Sequence, residues 1–434
     1  MDTKTIIKEL ADAAIASVMP GVFIPAQISL NGSKLTVHDK TYELASYRCI
    51  YIIAIGKAAM GMAEALDRII HPYVTEGIIL TKHIPGDHLL DKRYRILPGN
   101  HPVPGNESIT GAKAVLDLAD KAGADDLVLF LISGGGSSLM TLPLDGIDLD
   151  TFRKFSNMIL NSGADINEFN ILRKHLDGIK GGRLAQHAAP AEQVTIILSD
   201  VVGDPIDIIA SGPTVPDSST YQDALAILDR YSIHNAFPDV IRDTLIRGTE
   251  GKIPETPKSA SPVFDKSDIF LSASNRTAAS AAAMAAEKLG FHAQVLNTRM
   301  TGEASAVGKL LPSFLSELQA PGLYVFGGET TVHVNGNGLG GRNLELALGA
   351  VRPMADWPGC LLWTLATDGE DGPTDAAGAF VTSDTLSMAL KLGCSPEAFL
   401  RNNDAYDFFR NVDGLIRTGP TGTNVCDLTF LVKM

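Results

Sequence analysis

At 434 residues the chain is too long for one ordinary domain, and two domains of roughly 200 residues are expected. A formal net charge of −14 excludes a nucleic-acid footprint, because phosphate backbones need a basic face, and it leaves small anions as ligands only where cations are locally placed. Hydrophobic residues at 45%, aromatics at only 6% and 41 glycines suit an α/β protein of Val/Ile/Leu strands, Ala-rich helices and many tight turns.

The first twenty residues, MDTKTIIKELADAAIASVMP, are an amphipathic helix carrying acidic residues, unlike the basic and apolar regions of a signal peptide. No apolar run reaches membrane-spanning length. Cys49, Cys360, Cys394 and Cys426 show neither CxxC pairing nor metal spacing, and they read as reduced, mostly buried thiols of a cytoplasmic protein. Around Asn31-Gly32 a polar hairpin is expected. The α/β pattern then begins with a strand at Ile50–Ile55, a Gly56-Lys57 turn and a helix from Ala58. GKAAMG has the glycine spacing of a Walker A loop, but Met62 stands where its lysine belongs, so it is not a P-loop. Lys57 opens a helix, where a cation is disfavoured unless it reaches solvent or faces an anion. The loop after the strand at Gly77–Leu80 holds His83, His88 and His101 without any helical metal spacing. It reads as a rigid surface loop in which His101 stands out.

The apolar run Leu127–Ile132 is a strand buried on both faces, because no polar alternation interrupts it. It ends in Ser133, Gly134, Gly135, Gly136, Ser137 and Ser138. A glycine turn at the end of a parallel strand, opening into a helix, lets backbone N–H groups approach a phosphate without Cβ obstruction. A tight turn with no ligand is the alternative. Further on, Arg173, Lys174, His175, Lys180 and Arg183 gather cations in an acidic chain, as an anionic substrate site would need; a solvated basic helix face is the other reading. The buried strand Val194–Leu198 leads to Asp200 and Asp204, placed where carboxylates of an α/β sheet could hold Mg²⁺, although Asp204 before Pro205 could equally cap a turn.

The Pro/Ser/Lys-rich stretch from Lys252 to Ser267 marks a linker, dividing an N-terminal α/β domain, residues 1–250, from a C-terminal one, residues 251–434. The second set opens with a strand at Asp268–Ser272. It continues through an Ala-rich helix, a strand at Gly322–Phe326 and a glycine-rich loop running into a helix at Arg342 and Asn343, a second anion-friendly terminus. After the strand Cys360–Ala366, four carboxylates including Asp368 and Asp371 crowd Thr367–Asp375. Such crowding is repulsive without a cation, so metal binding is expected there.

LISGGGSSLM, NILRKHLDGIKGGRLA, ILSDVVGDPIDIIASGPTVPD, SNRTA, GGETTV with GGRNLELAL, and TDGEDGPTDAAGA occur in this order. Together they resemble the glycerate 2-kinase family with its C-terminal MOFRL module, over nearly the whole chain. The resemblance implies two α/β domains with largely parallel Rossmann-like sheets and an interdomain cleft. It implies ATP-dependent phosphorylation of D-glycerate to 2-phosphoglycerate with Mg²⁺, and it puts the family's paired basic catalytic residues on Lys57 and Arg342. On this reading Ser133 to Ser138 bind ATP, and Lys57, Arg173, Arg342 and Asn343 bind substrate. Asp200, Asp204, Asp368 and Asp371 supply metal ligands, and Asp200 is the candidate base. Phosphoryl transfer needs these parts, because it rests on positioning and charge neutralisation. A hydroxypyruvate reductase using NAD(P)H is the rival, opposed by the absence of a GxGxxG turn followed by an acidic strand end. Neither nucleic acid nor membrane is expected as partner, and a homodimer stays open.

Overall fold

The computed structural model describes residues 2–232 and 237–434. The chain forms two compact units. One comprises Phe23–Ser199 and Pro205–Ser272; the other comprises Met1–Val22, Asp200–Asp204 and Ala273–Met434. Neither is a contiguous stretch, as a single cut at residue 250 would make it. The apolar stripe of the N-terminal helix, Ile6, Ile7, Leu10, Ala11 and Ala14, is buried in the unit that carries the C-terminal half, against the Ala-rich helix Asn275–Lys288.

In the first unit β1 (Ile28–Asn31), β2 (Lys34–Val37) and β3 (Lys40–Glu43) form an antiparallel sheet, with Gly32 left-handed at φ 62° in the expected hairpin turn. The main sheet contains β4 (Ile50–Ile55), β5 (Glu76–Thr81), β6 (Tyr94–Pro98), β7 (Leu127–Ile132), β8 (Glu192–Leu198) and β9 (Ser267–Ala273), in the order β6-β5-β4-β7-β8-β9. From β6 to β8 all pairings are parallel. Every residue of β4 and β7 is buried, as expected for central strands covered by crossover helices on both faces. The chain runs outward from β4 to β6 and then returns to β7, so the strand order reverses between β4 and β7. Crevices at such a reversal, on the carboxyl edge, are where doubly wound sheets take ligands. Four helices, Leu149–Asn161, Ile166–Leu176, Tyr221–Ser232 and Asp239–Thr249, bury a core of their own that includes Phe155, Phe169 and Leu228. Each such fully buried large side chain contributes about 1.5–3 kcal/mol.

The strand over 268–272, expected to open the second domain, is β9 and closes the first sheet. The second unit also departs from the largely parallel sheet expected of it. Its strands are β10 (His292–Met300), β11 (Gly322–Gly328), β12 (Cys360–Ala366), β13 (Gly378–Thr382), β14 (Leu415–Ile416) and β15 (Asp427–Lys433), ordered β10-β11-β15-β12-β13-β14. Only β10 and β11 pair in parallel. β15 inserts antiparallel to both β11 and β12, with its Phe430 stacked on Trp363 at 3.8 Å between centroids, and β13 runs antiparallel to both β12 and β14. The helix Arg342–Met354 buries ten residues, seven of them in this unit's hydrophobic core.

Candidate active site

At the reversal point the loops after β4 and β7 are tied together. Ser133 donates its N–H to the Ile55 carbonyl (2.9 Å) and accepts from Ala58 N at its hydroxyl (3.1 Å), while Lys57 N donates to the Gly134 carbonyl (2.9 Å). Gly56 is held at φ 125°, and a side chain there would run into Ser133. Gly135 is left-handed at φ 81°, and a Cβ on it would lie 3.1 Å from both Lys57 Cγ and His101 Cδ2. Among the described residues, the N–H groups of Gly134, Gly135, Gly136 and Ser137 have no protein acceptor. Successive free N–H groups of this kind form an anion-binding concavity. The expected helix after the turn is a single turn, Gly136–Leu139, so its dipole adds little and the backbone donors and nearby cations carry the site.

Behind the turn, Ser137 Oγ meets Ser211 Oγ at 2.8 Å, and Ser211 donates to Asn170 Oδ1 at 2.9 Å. Ala210, Ser211 and Gly212 are all left-handed, at φ 52°, 61° and 58°. Two of them carry a Cβ, a strain of about 1–3 kcal/mol each that proteins tend to keep at functional sites. Lys57 is exposed and has no ion pair among the described residues. His101 is held neutral, with its pKa pushed down to about 4 by burial and by the charges of Lys57 and Lys82.

The basic segment resolves into four side chains with structural partners and one that is available. Lys174 bonds Asp207 and Asp217 (3.0 and 3.3 Å), His175 meets Glu255 (2.9 Å), and buried Lys180 bonds Asp177 (2.9 Å) and the Met140 carbonyl (2.6 Å). Arg183 donates to the Lys174 carbonyl and to Tyr221. Arg173 differs. Its guanidinium lies 3.9 Å over the Phe169 ring, no described carboxylate bonds it, and burial pushes its pKa down to about 10. It stands one helical turn from Asn170, which Ser211 links to the glycine turn.

In the other unit Arg342 opens its helix within an acidic group. It bonds buried Asp427 through Nε (2.5 Å) and Nη2 (3.2 Å) and meets Glu329 through Nη1 (2.6 Å). Buried Asp371 accepts from Asn343 N (3.1 Å) and Leu344 N (2.8 Å), the capping geometry of a helix start, and burial holds it up at about 6. Asp371, expected as a metal ligand, caps this helix, and Asn343, expected at the substrate, is buried with its amide turned to Asp371 (3.4 Å). Asp204 is left-handed at φ 58° in the turn before Pro205, and Asp368 accepts from Glu370 N at 3.3 Å. The Cys426 thiol, on a left-handed backbone at φ 65°, donates to the Asp200 carbonyl at 2.9 Å and so fixes that loop. No group of three or more His, Cys, Asp or Glu side chains that could hold a metal exists among the described residues. An ion such as Mg²⁺ takes one or two carboxylates and fills its shell with phosphate and water, so it does not require such a group.

Sequence reasoning missed Lys82, Glu329, Asp427 and the Asn170–Ser211 support. Only Lys82, directly after a strand end, carried a readable signal.

A family described as a domain of unknown function, DUF4147, matches residues 6–246, and the MOFRL family matches residues 322–427. D-glycerate 2-kinase of Thermotoga maritima is 40% identical over 386 residues, covering 87% of this chain and 89% of that protein. Glycerate 2-kinase of Pyrococcus horikoshii is 38% identical over 440 residues, covering 100% and 98%. The crystal structure of a glycerate kinase from Thermotoga maritima superposes with a TM-score of 0.87 at 36% identity, covering 99% of each chain. An Agrobacterium vitis relative, 37% identical over 443 residues with 100% and 95% covered, carries only a provisional hydroxypyruvate reductase name. By extent of match and by fold, this chain belongs to the glycerate 2-kinase family.

Proposed function

We propose that this protein transfers the γ-phosphoryl group of ATP to the C2 hydroxyl of D-glycerate, giving 2-phosphoglycerate and ADP. The observation that carries the reading is the left-handed glycine turn after β7. It offers four consecutive N–H groups without protein acceptors beside an unpaired lysine, at the strand-order reversal of a parallel sheet.

In this account the N–H groups of Gly134 to Ser137 hold nucleotide phosphates, and the Ser137 and Ser138 hydroxyls border them. Lys57 neutralises charge on the phosphoryl group as a compact point charge. Arg173, unpaired and stacked on Phe169, takes the glycerate carboxylate with its planar fork. Arg342 is the second catalytic cation. Its bonds to Asp427 and Glu329 fix the guanidinium plane while Asp427 stays buried, so the group is preorganised. Asp200, with its backbone tied to Cys426, is the candidate acceptor for the C2 hydroxyl proton, a modest demand if the transition state is loose. Mg²⁺, when bound through Asp200, Asp204 or Asp368 together with the phosphates, supplies charge neutralisation on the nucleotide. Four free cysteines fit a cytoplasmic setting.

The test is two assays on one preparation: ADP release with D-glycerate and MgATP, and NADH consumption with hydroxypyruvate. ADP release dependent on glycerate supports the kinase; NADH consumption with no ADP release would replace it with the reductase.

A further inference from the structure

Four neighbouring strands of the main sheet, β6, β5, β4 and β7, are parallel, so their carboxyl ends lie along one edge. The residues that leave this edge follow one another in the same order. His101 comes three residues after β6 ends at Pro98, Lys82 directly follows β5, Lys57 lies two beyond β4, and the glycine turn follows β7. With strands about 4.8 Å apart, the two lysines and the turn make a row about 10 Å long. His101 closes onto that row, because a Cβ on Gly135 would lie 3.3 Å from its Nε2. In a chain of net charge −14, neither Lys57 nor Lys82 forms an ion pair among the described residues. At the start of the helix that follows the histidine's loop, Glu107 is taken up by Asn100 Nδ2 (3.0 Å). The charges acting on His101 are those of Lys57 and Lys82, both positive. Two uncompensated lysines beside a histidine is a repulsive arrangement, and an anion would relieve it.

We infer that Lys82 and His101 complete the anion site begun by the glycine turn and Lys57, so that the phosphate chain of the nucleotide lies along the carboxyl edges of four adjacent strands. This rests on the assignment of the glycine turn to nucleotide phosphate and adds two binding residues to it. Lys82 meets the phosphates as a solvent-facing point charge, and its contribution is screened by salt. His101 is neutral in the free protein and takes up a proton as the phosphates offset the two lysines.

Isothermal titration of the full-length protein with MgADP and with the Mg²⁺ complex of the β,γ-imido analogue of ATP tests this in Lys82→Ala, Lys82→Arg, His101→Asn, His101→Gln and Gly135→Val. Thermal melts serve as the fold control. Each loss of a charge-assisted bond should weaken nucleotide about 10–100-fold, with Lys82→Arg largely restored. Repeating the wild-type titration at pH 5.5 in buffers of different ionisation enthalpy should reveal proton uptake that His101→Asn abolishes. If Gly135→Val loses nucleotide while the Lys82 and His101 variants bind as wild type, the inference fails and the glycine cradle stands. If Gly135→Val also binds as wild type, both fail. Unchanged nucleotide affinity with a raised KM for glycerate in the Lys82 and His101 variants would also overturn the inference, by assigning the row to the substrate carboxylate.

Discussion

Replacing Arg342 by alanine should cost stability as well as activity, which its role as a catalytic cation alone would not require. Its guanidinium is the ion partner of Asp427, whose side chain is only 8% exposed, and truncation leaves that carboxylate buried without its countercharge. Breaking a buried pair costs about 3–5 kcal/mol, and the lower end applies because the Arg342 side chain is itself 32% exposed. A loss of about 3 kcal/mol corresponds to about 6–12 °C in the melting of a unit this size. The effect has a pH signature. Burial already holds Asp427 above the ordinary carboxylate range against the pull of Arg342, and without the arginine its pKa rises further. The folded state then binds a proton that the unfolded state has released, so stability falls as pH rises from the unfolded pKa to the raised folded one. The destabilisation should be larger at pH 8 than at pH 5. Differential scanning calorimetry of Arg342→Ala, Asp427→Asn and the double variant, beside kinetics, separates the two roles. The double variant should regain most of the stability and none of the activity. Wild-type melting of Arg342→Ala at pH 8 would refute the reasoning, as would recovery of activity in the double variant.

Lys57→Ala should behave in the opposite way, because the side chain is exposed and has no described ion partner: kcat should fall about 10³-fold or more with melting unchanged, measured by single-turnover phosphorylation. Asp371→Asn keeps one of the two oxygens that take the Asn343 and Leu344 N–H groups, one on each, so it costs part of the cap. Since burial holds Asp371 at about 6, wild-type stability should decline as pH rises from about 4 to 6 and this variant should lose that slope in calorimetric melts. Chelation should abolish turnover, and Mg²⁺ or Mn²⁺ should restore it, while full turnover in chelator would exclude a metal role. Arg173→Lys should raise the KM for glycerate with kcat less affected, because a point charge cannot replace a planar fork; an unchanged KM would release Arg173 from the substrate.

The main sheet was legible because its strands are written locally. Ile50–Ile55 and Leu127–Ile132 are unbroken apolar runs, and Gly134–Gly136 can serve little but backbone conformation. Pairing is not written locally. Ser267–Ala273 reads as a strand, but nothing in it says which sheet it joins, and two of the second sheet's four antiparallel pairings depend on β15 entering between strands about 70 and 100 residues earlier in the chain. The same limit governs charged groups. Arg173, Lys174, Lys180 and Arg183 look alike in sequence, and only the carboxylates and carbonyls supplied from elsewhere decide which one is left for a ligand. Asp371 shows the same limit: a carboxylate in an acidic run suggests a cation, and the sequence does not disclose that its partners are N–H groups at the start of a helix some thirty residues earlier.

The central claim is a phosphoryl transfer to one oxygen of one acid. It is tested most directly by ³¹P NMR of the reaction of purified protein with D-glycerate and MgATP, followed by addition of enolase. The account predicts ADP and 2-phosphoglycerate in equal amounts, the latter consumed by enolase without a mutase. Absence of ADP, or a product that enolase cannot use because the phosphate sits on C3, would contradict it.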